Sequence, residues 1–217
     1  MCDIKNTGNV EPIDRTREKQ PARTSNQVRI VVVMDRSASM KPHEKTVVES
    51  LRNFFASLRG GLPKGLQGLV TLTQFGAKAE TSALLQPLET IAVDYHAGEE
   101  STALWDAICY SLRLETSRHV PVLVLFVTDG EENSSTEADL RQVQAMIQTR
   151  EEWGNWSFYV LNLQGRPSRS AAQLRVEVID STPEKMSEAL SRISGSMCRD
   201  VARLQSAHKR ALLEGGR

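Results

Sequence analysis

Five oxygen-bearing residues stand at the ends of apolar segments: Asp35, Ser37 and Ser39 in one place, Thr102 in a second, Asp129 in a third. The first group alternates, Asp-Arg-Ser-Ala-Ser, which leaves room for all three side chains to point into one pocket. Two carboxylates and three hydroxyls form a hard, all-oxygen donor set. Such a set suits a small divalent cation. Mg²⁺ takes octahedral oxygen ligation at about 2.0–2.1 Å and usually keeps some water. No Cys or His lies among these residues, although His43 and His96 are each near one of the loops. Each feature also has a plain alternative. Asp35 and the serines can cap a following helix, Thr102 can cap another, and Asp129-Gly130 reads as a turn. Their joint occurrence, each at a strand tip or a helix mouth, favours one shared site.

The elements that must position these groups are legible from periodicity. Val28 to Met34 is apolar except for Arg29 and rich in Val and Ile, as in a strand buried on both faces of a parallel sheet. It ends at Asp35. Val120 to Val127 is a second such run, and it ends in Thr128-Asp129-Gly130-Glu131-Glu132-Asn133. Thr102 stands at the mouth of a helix marked by Ala103, Leu104, Ala107, Ile108 and Leu112. In open α/β sheets, ligands bind outside the carboxyl ends of the strands, which is where all five residues fall.

The remaining pattern fills in the sheet. Pro42 can open a helix carrying Val47, Val48, Leu51, Phe54, Phe55 and Leu58, stopped by Gly60-Gly61 and Pro63. Leu69 to Phe75 and Ala79 to Leu85 read as strands joined by a short link, so the latter is expected as an antiparallel edge. Residues 86–101 read as polar loop or a short helix. Leu140, Val143, Met146 and Ile147 mark a helix, Phe158 to Leu163 a strand and Arg175 to Ile179 a short last strand. Pro183 opens a helix through Leu190 and Ile193. Gly195 is a candidate break, after which Met197, Val201, Leu204, Ala207 and Ala211 continue the stripe. The C-terminus is therefore one broken helix or two. Alternating strands and helices with long crossovers predict a mostly parallel α/β sheet.

Composition bounds the partners. Lys plus Arg and Asp plus Glu are balanced at 27 each, so no global charge favours nucleic acid or an anionic membrane. The 3 cysteines are too few for a disulfide framework or a zinc cluster. No apolar run reaches the ~18 residues a membrane span needs, and the polar N-terminus has no secretion signal, so the expected compartment is the cytoplasm. Residues 1–27 are expected as a flexible N-terminal arm, 28–194 as the folded domain and 195–217 as a C-terminal helical extension. Glu100, Glu131 and Glu132 could steer a cation electrostatically but read first as surface charges, and Asp106 could orient a site water or serine but reads more simply as an exposed first-turn acid favoured by the helix dipole.

Asp35-x-Ser37-x-Ser39, Ser101-Thr102-Ala103-Leu104-Trp105-Asp106-Ala107-Ile108 and Thr128-Asp129-Gly130-Glu131-Glu132-Asn133 together resemble the von Willebrand factor type A (vWA) family. The resemblance spans roughly Val28 to Ile193 and is tightest to small stand-alone bacterial and phage-borne members. It implies a Rossmann-like three-layer α/β fold, with a mostly parallel sheet, one antiparallel edge strand and helices on both faces. It also implies a metal-ion-dependent adhesion site holding Mg²⁺ or Mn²⁺. Ser37, Ser39 and Thr102 would be hydroxyl ligands, and Asp35 and Asp129 would bind directly or through water. Two features depart from the family pattern. Arg36 places a positive charge inside the ligand loop, and Gly98-Glu99-Glu100-Ser101 replaces the usual short Gly-rich approach to the threonine.

The expected function is protein binding, in which an Asp or Glu of a partner reaches the held cation, as a component of a multi-protein bacterial system. No enzyme activity, nucleic acid, membrane or small-molecule substrate is expected. Two other classes stay open. One is Mg²⁺-dependent phosphoryl transfer or hydrolysis, although Ser37 stands where such a loop would need a second acid and no Gly-rich phosphate loop is present. The other is a scaffold that works through its C-terminal helix, where Arg199, Arg203, Lys209, Arg210 and Arg217 lie beside the apolar stripe.

Overall fold

The chain is seen here as a computed structural model that describes residues 26–214, with side chains described to residue 206. Residues 1–25 of the expected N-terminal arm lie outside the described residues. The apolar run after them forms strand β1 (Gln27–Asp35) at the centre of the sheet. Ile30, Val32 and Met34 turn to one face and Val31 and Val33 to the other, all with no exposure. Fully burying one such side chain stabilises by about 1.5–3 kcal/mol, so this strand can tolerate neither surface.

Five more strands extend the sheet: β2 (Gln67–Phe75), β3 (Ala79–Pro87), β4 (Val122–Thr128), β5 (Trp156–Asn162) and β6 (Glu177–Asp180). Their order is β3-β2-β1-β4-β5-β6. Every neighbouring pair is parallel except β2 and β3, so β3 is the expected antiparallel edge. That edge is irregular. Its register shifts twice against β2, and Leu85 adopts a left-handed φ of 50°. In register, Met34 lies beside Val127 and Asp35 beside Phe75, so β1 and β4 end at the same level. That alignment places Asp35 and Asp129 at one edge.

Helices cover both faces, giving the three-layer arrangement. On one side α1 (Glu44–Gly61) and α5 (Met186–Glu214) bury Leu51, Phe54, Leu58, Leu190, Ile193 and Met197 against Ile30 and Val32. On the other side α2 (Leu104–Leu114) and α3 (Leu140–Glu152) bury Ile108, Leu112, Val143 and Ile147 against Val31 and Val124. A short helix α4 (Arg169–Gln173) precedes β6. No described helix is long and apolar enough to cross a membrane.

Several local expectations shift. The helix after β1 is preceded by a 3₁₀ turn over Ala38–His43, which contains Pro42. Strand β3 runs on to Pro87. The last strand starts at Glu177, because Arg175 takes a left-handed φ of 58°. Residues 91–98 carry no helix, and the segment is pinned by Gln74 Nε2, which donates to the Asp94 carbonyl at 2.6 Å.

Gly195 does not break the C-terminal helix. Helix α5 is continuous from Met186 to Glu214, so the extension expected at 195–217 begins mid-helix. Tertiary packing accounts for this. Ile193, Met197 and Val201 on either side of the glycine are buried. Tyr159 Oη donates to Asp200 Oδ2 at 2.6 Å, tying the helix to β5. A Cβ on Gly195 would meet only Arg199 Nη1, at an ordinary 3.6 Å. Gly195→Ala should therefore stabilise the protein by about 0.5–1 kcal/mol, because alanine loses less backbone entropy in a helix. Urea denaturation measures it, and a loss of stability would contradict a continuous α5.

Candidate metal centre

The Asp35 carboxylate has no solvent exposure. The Ser37 N–H donates to its Oδ1 at 2.8 Å, and Thr128 Oγ1 donates to its Oδ2 at 2.6 Å. Thr128 stood in the sequence as the first residue of the motif after the apolar run, with no role assigned to it. Here it links the tip of β4 to the tip of β1. On the solvent side, the Ser37 and Ser39 hydroxyls lie 3.0 Å apart. Both reach Asp129 Oδ1, Ser39 at 3.0 Å and Ser37 at 3.4 Å.

Thr102 completes the group. A Cβ built on Gly130 would fall 3.2 Å from Thr102 Oγ1 and 3.6 Å from Asp35 Oδ2, so these atoms share one small space with the Gly130 backbone. All five residues singled out in the sequence therefore meet at one edge. The hydroxyls are not spent as helix caps. Ser37 precedes the 3₁₀ turn without a side-chain capping bond, and the residue preceding α2 is Ala103, not Thr102.

The loop after β4 is built by its acids. Asn133 Oδ1 accepts the Thr102 N–H at 2.9 Å, while the Asn133 N–H donates to the Thr102 carbonyl at 3.2 Å. Glu132 accepts the Trp105 N–H at 2.9 Å, in the first turn of α2, and the N–H groups of Ser134 and Ser135 at 2.8 and 2.7 Å. A carboxylate suits a helix N-terminus, where unpaired N–H groups and the dipole both favour negative charge. Glu131 does the same for α4, accepting the N–H groups of Arg169 and Ser170 at 2.9 and 2.8 Å. Asp106 accepts three consecutive N–H groups, from Thr136, Glu137 and Ala138. These acids are structural braces rather than loose surface charges. The run of acids after β4 was the one sequence signal near these roles, and it did not show their backbone partners.

The opposite rim is braced by Arg36 and Glu99. Arg36 Nη2 lies 2.6 Å from Glu99 Oε1 and 3.1 Å from Glu80 Oε2, so its charge is turned to these acids. The Ala38 N–H donates to the Glu99 carbonyl at 2.6 Å, and the N–H groups of Gly98 and Glu99 donate to the Arg36 carbonyl. Beneath, Tyr95 Oη donates to the Asp35 carbonyl at 2.6 Å.

The donor set fits a hard divalent cation. Both carboxyls sit above their ordinary range. Burial is the main cause at Asp35, opposed by bonds from Thr128 and Ser37 and reinforced by the Asp129 charge. Burial also dominates at Asp129, opposed by Ser39 and Ser37. Two desolvated carboxylates that repel each other are stabilised in their charged form by a cation between them. The described residues hold no cluster of three or more His, Cys, Asp or Glu able to bind a metal. Any ligation here depends on the serine and threonine oxygens as well as the two acids.

No protein-family model matches the chain, and no curated protein does either. Solved structures do match. Proximal thread matrix protein 1 from the mussel byssus aligns with a TM-score of 0.58 at 16% identity, over 79% of this chain and 46% of that one. A von Willebrand factor type A protein from Catenulispora acidiphila aligns at 0.53 and 16%, over 79% and 43%. The von Willebrand factor domain of the type V pilus tip protein Mfa5 from Porphyromonas gingivalis aligns at 0.59 and 11%, over 80% and 96%. The chain thus spans less than half of the first two and nearly all of the third. At these identities the likeness establishes the fold, which is that of vWA domains.

Glu131 offers a test of the bracing. Burial acts to raise its carboxyl, but bonds from the Ser170 hydroxyl and the Ser170 and Arg169 N–H groups outweigh it and hold it below the ordinary glutamate value. Stability from such a group is fully present above the unfolded-state value of about 4.3 and is lost as pH falls through the lower folded value. Glu131→Gln should be less stable than the parent at pH 7, with the gap shrinking below about pH 4. Urea titrations across pH measure it; a gap independent of pH would contradict the assignment.

Proposed function

We propose that this protein is a metal-dependent protein-interaction module, using Asp35, Ser37, Ser39, Thr102 and Asp129 to hold Mg²⁺ or Mn²⁺. The observation that carries the reading is the meeting of these five side chains at one sheet edge, with the Ser37, Ser39 and Asp129 oxygens 3.0–3.4 Å apart. The bound cation would supply an open coordination position for an Asp or Glu carboxylate of a partner protein. The chain's own part is to fix the oxygens. Thr128 and the Ser37 N–H aim Asp35, Asn133 aims Thr102, and the hydroxyls orient Asp129. Glu131 and Glu132 are occupied with backbone N–H groups and so are not free to act as a general base, which favours binding over catalysis. Pilus-associated and matrix proteins among the structural neighbours fit an interaction role.

Mg²⁺ or Mn²⁺ at about a hundredfold above its dissociation constant should stabilise the folded state by about 2.7 kcal/mol. For a domain of this size that raises Tm by about 5–10 °C. Asp129→Ala should remove the shift, and EDTA should release a partner captured by affinity purification. A Tm indifferent to both ions, together with capture indifferent to EDTA, would refute the proposal.

A further inference from the structure

We propose that Glu99 is a positioning residue for the candidate cation site, acting through Arg36. It holds and neutralises a guanidinium that would otherwise oppose a divalent ion. This rests on the metal reading above and deepens it. Arg36 lies in the chain between two of the proposed ligands, Asp35 and Ser37, and Glu99 and Glu80 hold its guanidinium at the rim of the site. Its side chain is only 19% exposed, and its Nε is buried without a hydrogen-bond partner. Solvent therefore screens it poorly, and its compensation must come from the protein.

Glu99 is built to supply that compensation. One oxygen, Oε1, lies 2.6 Å from Arg36 Nη2. The other, Oε2, accepts the Ala77 N–H at 2.6 Å in the turn between β2 and β3. The turn is shaped around this carboxylate, since a Cβ on Gly76 would collide with the Glu99 side chain. The Gly76 carbonyl then accepts the Ala103 N–H at 2.8 Å, next to Thr102. The Glu99 backbone bridges to Ser37. Glu80, the second acid on Arg36, is 67% exposed and contributes less, because solvent and salt weaken an exposed pair. Glu99 is the acid whose orientation the fold secures.

The substitution that isolates charge from shape is Glu99→Gln. The amide keeps an oxygen for the Ala77 N–H but loses the negative charge. Mn²⁺ affinity, followed by the electron paramagnetic resonance of the free ion, should fall by about tenfold, the scale of one uncompensated unit charge beside a doubly charged ion in a partly screened setting. Glu80→Gln should cost about twofold or less. The decisive variant is Arg36→Met with Glu99→Gln, which removes both charges and should restore affinity to within about threefold of the parent. Thermal melts of the metal-free proteins check that each variant folds. Parent-like Mn²⁺ affinity in Glu99→Gln would overturn the inference. So would a loss that Arg36→Met does not reverse, which would assign Glu99 to loop shape alone. Absence of Mn²⁺ binding by the parent would instead overturn the metal reading itself, and this inference with it.

Discussion

A carboxylate buried at the tip of a strand must be met by donors, and three elements converge to meet the one on Asp35. The loop after β1 turns back so that the Ser37 N–H reaches it, β4 brings the Thr128 hydroxyl, and Tyr95 secures the backbone of the same residue. Leaving such a group unsatisfied costs several kcal/mol. The register between β1 and β4 and the path of the 91–98 segment are therefore constrained together. The remaining oxygens gather around this fixed point.

The parts legible in the sequence were those carried by short-range patterns. β1 and β4 show themselves as apolar runs because a central strand is buried on both faces, and their polar tips stand out against that background. That Asp35, Ser37, Ser39, Thr102 and Asp129 would meet at one edge could be anticipated for the same reason. The bracing roles of Glu131, Glu132 and Asp106 could not be read, although Asp106 is the first-turn acid expected. Their partners are backbone N–H groups 27–39 positions away for the bonds from Glu132 to Trp105, Asp106 to Thr136, and Glu131 to Ser170. A backbone donor leaves no trace in residue identity. Gly195 misled in the opposite direction, because its weak helix propensity is overridden by burial of Ile193, Met197 and Val201 around it.

The fold alone does not decide the chemistry, since one architecture hosts many functions. In this chain the acids near the sheet edge divide by partner. Most of those near the site are occupied with helix mouths, turns or a guanidinium. Asp129 instead accepts from the Ser37 and Ser39 hydroxyls, and Asp35 from the Thr128 hydroxyl and the Ser37 N–H. Acids that stiffen the loops and the two acids of the proposed cation site are thus crowded into the same sheet edge.

The irregular outer strand has its own consequence. A straight edge presents an evenly spaced row of donors and acceptors to which another chain can add. In β3 the shifts in register and the left-handed Leu85 interrupt that row. Lateral addition of a further strand to β3 would lose alignment after a few residues, which opposes edge-to-edge pairing on that side.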